Sequence, residues 1–203
     1  MANDIKDALL DVRKAYRLLA DYQQRVLELL SFIREKLGAN NYYYCYRNSA
    51  PRSFERLERN EASGQRFLLF NDLSVLWIRD HGQNDSIHFH QVGDLLIDIW
   101  VRSDSGNGNS DEPKMAPELC ESELRIYFFL CVNPKDESYN WYDKVWAKTR
   151  YPSFGDAITC DENPGYLAYG EVLNLSELVD EPSVCDAISN LRQRASAKLG
   201  FQI

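Results

Sequence analysis

The chain has 203 residues, enough for one domain, or one domain plus an extension, to bury about 70% of its unfolded surface without a disulfide or metal staple. Hydrophobic residues make up 44%, which excludes global disorder. The net charge of −8 disfavours non-specific attraction to nucleic acid or anionic lipid.

The five cysteines, Cys45, Cys120, Cys131, Cys160 and Cys185, are odd in number, scattered, and include no C-x-x-C. This pattern argues for free thiols in a reducing compartment. The polar start Met-Ala-Asn-Asp has no signal-peptide character, and no apolar run approaches the roughly 20 residues of a membrane helix. A cytoplasmic protein that does not enter the membrane is expected.

Residues 1–38 read as one long amphipathic helix. Ile5, Val12, Leu19, Val26 and Ile33 recur every seven residues, and Leu9, Tyr16, Gln23, Leu30 and Leu37 follow each by four. This spacing resembles a coiled-coil heptad. Asn3 or Asp4 caps its start, Lys36 sits in the last turn, and Gly38 stops it. Such a helix spans about 50 Å, against a radius of gyration of about 17 Å for a compact chain of this size. The apolar face is narrow in the first half, around Ala8, Ala15 and Ala20. It widens in the second through Leu18, Tyr22, Leu27, Leu29 and Phe32. The second half is therefore expected to pack on a sheet, and the first to be free for a partner helix.

Residues 39–203 read as an α+β domain. Tyr42 to Tyr46 favours a strand, either an aromatic ladder or a stacking platform. Pro51 to Asn60 reads as a short helix carrying Arg52, Arg56 and Arg59 on one side. Strands follow at Arg66–Phe70, Leu73–Arg79, Ser86–Gln91, Asp94–Val101 and Leu124–Val132, with a mobile polar loop at 103–118. Tyr166–Leu175 reads as a last strand. A terminal helix from about Val184 to Leu199, capped by Asp180 or Ser183 and closed by Gly200, covers a sheet face through Val184, Ile188, Leu191, Ala195 and Leu199. The fold class is thus α+β: a long N-terminal helix, an antiparallel meander and a C-terminal helix packed on the sheet.

Three groups of residues could carry chemistry. His81, His88 and His90 fall together, and a strand would point His88 and His90 to one face about 7 Å apart, a weak metal pair. Gly82 followed by His88-Phe89-His90 resembles part of the first cupin motif over about ten residues. Asp94 stands where that motif has Glu, and its closing Gly and the second motif are missing, so the family's properties are not carried over. In the strand pair around the polar loop, Leu95, Ile97, Ile99, Val101, Leu124, Ile126, Phe128 and Leu130 form the core side. Asp98, Trp100, Glu123 and Arg125 become neighbours on the other. Asp98 with Glu123-x-Arg125 resembles the metal-binding core of PD-(D/E)xK nucleases, but Arg125 replaces the lysine. Arginine neither gives up its proton nor binds metal. Asp98–Arg125 pairing with Trp100 on the guanidinium is the structural alternative. The third group is Tyr139, Trp141, Tyr142, Trp146 and Tyr151 with Lys144, Lys148 and Arg150, a basic aromatic segment of the kind used at interfaces. Its alternative role is core packing by Trp141 or Trp146.

No nucleophile motif, P-loop or dinucleotide fingerprint is present, and no cofactor is expected. The sequence leans toward a binder rather than an enzyme: a subunit of a larger complex, or an inhibitor- or immunity-type protein. Its contacts to a protein partner or a second copy would be Leu9, Tyr16, Trp141, Tyr142, Trp146, Lys148 and Arg150. A metal-dependent nuclease or phosphodiesterase using Asp98 and Glu123, and a nucleic-acid-binding accessory protein, are the alternatives.

Overall fold

A computed structural model of the chain describes residues 2–47, 72–106 and 115–203, with side chains from Ile5 onward. The short helix expected at Pro51–Asn60, its arginines, the strand at Arg66–Phe70 and the centre of the polar loop lie outside the described residues.

The elements run α1 (Ala2–Lys36), β1 (Asn40–Tyr46), β2 (Leu73–Arg79), β3 (Leu95–Arg102), β4 (Glu123–Cys131), β5 (Ala157–Cys160), β6 (Asn163–Asn174) and α2 (Glu181–Leu199). The strands form one antiparallel sheet in the order β1-β2-β3-β4-β6-β5. The first four make a meander, and β5 lies outside β6 as the second edge. The α+β arrangement read from the sequence is the observed one.

The helix face of the sheet is the face expected. Leu95, Ile97, Ile99 and Val101 of β3 lie opposite Leu130, Phe128, Ile126 and Leu124 of β4. All eight are fully buried. Val26, Leu30 and Ile33 of α1, Leu37 just after it, and Val184, Ile188, Leu191, Ala195 and Leu199 of α2 close over them. Both helices end on a left-handed glycine, a conformation that costs other residues a Cβ clash. At Gly38 (φ +64°) the Gly38 amide donates to the Glu35 carbonyl and the Ala39 amide to the Arg34 carbonyl, which turns the chain straight into β1. α2 starts in a capping box: Asp180 accepts from the Ser183 amide, and the Ser183 hydroxyl accepts from the Asp180 amide.

The opposite face carries a second core of Leu76, Ile78, Leu96, Tyr127, Phe129 and Cys131. Trp141, Val145, Cys160, Tyr166 and Ala168 complete it. Trp141 and Val145 come from a single turn of π-helix at Trp141–Val145, followed by a 3-10 turn at Trp146–Lys148. Asn140 starts that turn, its side-chain oxygen accepting from the Tyr142 and Asp143 amides.

Ser86–Gln91 is not a strand. Residues 84–88 form turns, with Asp85 at φ +55°. The cause is Asp94, whose carboxylate is wholly buried. One oxygen lies 2.7 Å from His81 Nδ1, and the other accepts from the Gln91 amide and the Gln83 side chain. A buried carboxylate must be satisfied, and this one folds the chain around itself to be so.

All five thiols are free. Among the described residues no helix is long and apolar enough to cross a membrane.

α1 divides at its middle. Every residue from Ile5 to Asp21 is exposed, and burial begins with Tyr22, whose hydroxyl donates to Ser103 Oγ at 2.8 Å. Leu30→Ala is therefore expected to lower stability by about 2–5 kcal/mol, and Leu9→Ala by less than about 0.5 kcal/mol. Paired urea denaturations read both; equal losses would mean that the first half is packed as well.

Candidate functional site

Two parts of the structure bring together residues that carry functional potential. The first is the second face of the sheet, around Asp98. The second is the uncovered half of α1 with the groove that continues it.

Asp98 sits in the middle of β3, opposite Tyr127, and is fully buried. Its Oδ2 accepts from the Tyr151 hydroxyl at 2.6 Å, from Trp146 Nε1 at 2.8 Å and from the Arg47 guanidinium at 3.3 Å. Arg47 also donates to Ser74 Oγ at 2.7 Å and to the Tyr151 hydroxyl. Its guanidinium lies 4.1 Å from the ring centre of Trp100 and 5.1 Å from that of Tyr151. One carboxylate thus ties the end of β1, the centre of β3 and the aromatic segment together. Burial raises the pKa of Asp98, against the hydrogen bonds and the cation that lower it. The same burial, with Asp98 beside it, pushes the Tyr151 phenol well up, and Tyr127 up to about 12.

Glu123 is not part of this cluster. It lies opposite Arg102, four residues along from Asp98, or about 13 Å by strand geometry. It pairs with Arg125 at 2.6 Å. The two carboxylates proposed for metal chemistry are therefore too far apart for one coordination shell. Trp100 does lie directly opposite Arg125, whose guanidinium sits 4.8 Å from its ring, but the cation on Asp98 is Arg47 rather than Arg125. Arg47 was missed in the sequence because it follows the tyrosine run of β1. Only pairing of β1 with β2, which puts Arg47 beside Ser74, carries it to Asp98.

The histidines go to different places. His88 is half-exposed, with Nδ1 2.9 Å from Asp85 and Nε2 3.2 Å from the Asn140 amide. His90 is buried. It stacks on Trp141 with ring centres 3.8 Å apart, and Nε2 lies 3.2 Å from the Ile87 carbonyl. That carbonyl can only accept, so Nε2 carries the proton and Nδ1 accepts from the Tyr166 hydroxyl at 2.7 Å. The pair does not share a face. Among the described residues no group of three or more His, Cys, Asp or Glu is placed to hold a metal.

Of the aromatic segment, Trp141 is fully buried and its Nε1 donates to the Ser86 carbonyl at 3.1 Å. It is a core plug, not a contact for a partner. Tyr142 and Trp146 are half-buried, 5.0 Å apart, with Tyr43 edge-on to Tyr142 at 4.8 Å. Lys148 and Arg150 are exposed, and Arg150 pairs with Asp161 at 3.4 Å.

The uncovered half of α1 is the larger feature. Ile5, Leu9, Val12, Tyr16 and Leu19 all stand in solvent, Tyr16 at 72% exposure. At about 100° per residue they fall within roughly 80° of arc. Leu27, eleven residues after Tyr16, returns to the same side and is half-exposed. There it lines a groove of about 460 Å³ with Tyr44, Tyr46, Leu73 and Val75, between α1 and the edge strand β1.

Asp98→Ala would leave the partly buried Arg47 guanidinium without its carboxylate and the Trp146 N–H and Tyr151 O–H without their acceptor, and is expected to cost about 3–5 kcal/mol. Asp98→Asn keeps the acceptor and should cost clearly less; equal losses in thermal melts would contradict the clamp. Burial lowers the pKa of His90 below 6.5, so the unfolded chain takes up a proton first as pH falls. Stability from His90 is complete above about pH 6.5 and declines below it. The stability difference between wild type and His90→Phe should narrow from pH 7 to pH 5 in denaturant titrations. A difference independent of pH would show that His90 does not titrate this way.

No solved structure matches the chain. A protein of Pasteurella multocida (strain Pm70) described as uncharacterized protein PM0109 is 39% identical over 207 residues, covering 99% of this chain and 98% of that protein. The PM0109 family model matches residues 2–200, and the chain belongs to that family.

Proposed function

We propose that this chain is a protein-interaction module, a subunit of a larger complex or an inhibitor- or immunity-type binder, whose contact surface is the N-terminal half of α1. The observation that supports this is one continuous heptad stripe. It is buried at Val26, Leu30, Ile33 and Leu37 and bare at Ile5, Leu9, Val12, Tyr16 and Leu19. Isolated apolar side chains on a surface need no explanation, but a contiguous apolar stripe over four helical turns marks an interaction site. Each such side chain gains about 1.5–3 kcal/mol when fully buried, before the costs of association. Helices of this length without tertiary contacts are marginal in water, so a partner would also stabilise the arm itself. The second face of the sheet does not compete for this role, because its central groups, Asp98 and Trp141, are sealed inside.

A photoreactive phenylalanine analogue placed at Tyr16 in the source cell tests the reading. A discrete cross-linked adduct is expected, lost in the Leu9→Asp, Val12→Asp double variant while the melting temperature of the body stays within a few degrees. No adduct, or one unchanged by the double variant, would refute the assignment.

A further inference from the structure

The arm carries a charge asymmetry that bears on what covers it. At 100° per residue, Lys6 and Arg13 line one flank of the bare stripe, with Arg17 turned behind them. The other flank is Ala8 and Ala15, and Asp7 and Asp11 are turned behind them. Asp11 is taken by Lys14, 2.9 Å away on the outer side. Among the described residues no carboxylate reaches Lys6, Arg13 or Arg17 within ion-pair distance.

A second copy of the chain does not answer this pattern. Antiparallel pairing of two arms sets like flanks together, Arg13 against Arg13 at the centre. Parallel pairing sets Lys6 and Arg13 against Ala8 and Ala15, with no ion pair formed. A parallel copy would also carry its own helix over the region beyond Tyr22, where the sheet already lies under Val26 and Leu30. Two copies at −8 each repel as well.

Resting on the reading of the arm as a protein-binding surface, we infer that its occupant is an amphipathic helix of a different protein with acidic residues flanking its apolar seam. The seam packs on Ile5, Leu9, Val12, Tyr16 and Leu19, and the acidic flank meets Lys6 and Arg13, with Arg17 behind them. The line continues through Gln23 to Leu27, so the far end of the visiting helix enters the groove against Tyr44 and Tyr46. From Ile5 to Leu27 the track is about 33 Å long, room for roughly three heptads. Opposite charges at these flanking positions set partner choice in paired helices, and the apolar seam supplies the affinity.

Two synthetic three-heptad peptides test the inference on the full chain: leucine at the seam with glutamate on both flanks, and the same seam with lysine. By fluorescence anisotropy in low salt the glutamate peptide should bind at least about tenfold tighter than the lysine peptide. The preference should shrink in high salt, reverse in the Arg13→Glu, Arg17→Glu variant, and vanish in Leu9→Asp. Equal affinities, or preference for the lysine peptide, would overturn it. Sedimentation equilibrium of the chain alone separates the remaining cases. Self-association tighter than glutamate-peptide binding and lost in Leu9→Asp overturns the acidic partner but leaves the arm as a binding surface. Neither peptide binding nor self-association overturns both.

Discussion

The heptad stripe that begins at Ile5 of α1 runs to Leu37, just past its end, and is broken only at Gln23, while the sheet beneath it meets only the part from about Tyr22 onward. A stripe of this kind is stable in water only where something covers it. In the packed half the cover is the sheet itself, with Leu95, Ile97, Ile99, Val101 and their β4 partners filling the space that the helix leaves. In the other half the same residue types at the same spacing face solvent. Among the described residues no element packs on those turns.

The body is held from both sides of its sheet. On the helix side the interactions are non-directional burial. On the other side they are directional: Asp98 receives Arg47, Trp146 and Tyr151, and Asp94 receives His81, Gln83 and the Gln91 amide. Each carboxylate fixes a segment of irregular backbone that would otherwise have no reason to settle against the sheet. The aromatic segment is anchored a second time by Asn163, whose side chain donates to the Lys144 carbonyl at 2.6 Å and accepts from the Tyr139 hydroxyl. This division explains why Asp98 and Asp94, the carboxylates nearest the candidate sites in the sequence, are buried and tied to the protein's own donors rather than open to a substrate.

What was legible in the sequence is what periodicity writes directly. The two helices, their capping residues and the inward faces of β3 and β4 follow from spacing and alternation. β5 was not seen, because four residues, Ala157–Cys160, are too few to show alternation, and their place beside β6 is a tertiary pairing. Ser86–Gln91 alternates as a strand would, with Ile87 and Phe89 against His88 and His90. The demand of Asp94 for donors overrides that pattern, and a buried carboxylate leaves no period in a sequence. Trp141 and Arg47 show the same limit from opposite directions. An aromatic that reads as an interface anchor is inside, and an arginine with no local signal is the cation of the central clamp. The arm was legible because its seven-residue period is the strongest in the chain.

Amide hydrogen exchange on the purified chain tests the bare stripe most directly. The amides of residues 5–21 should exchange orders of magnitude faster than those of 26–37, since only the latter sit on a packed core. Uniform protection along the whole helix in dilute solution, with no partner added, would show that the chain already covers its own arm and would contradict this account.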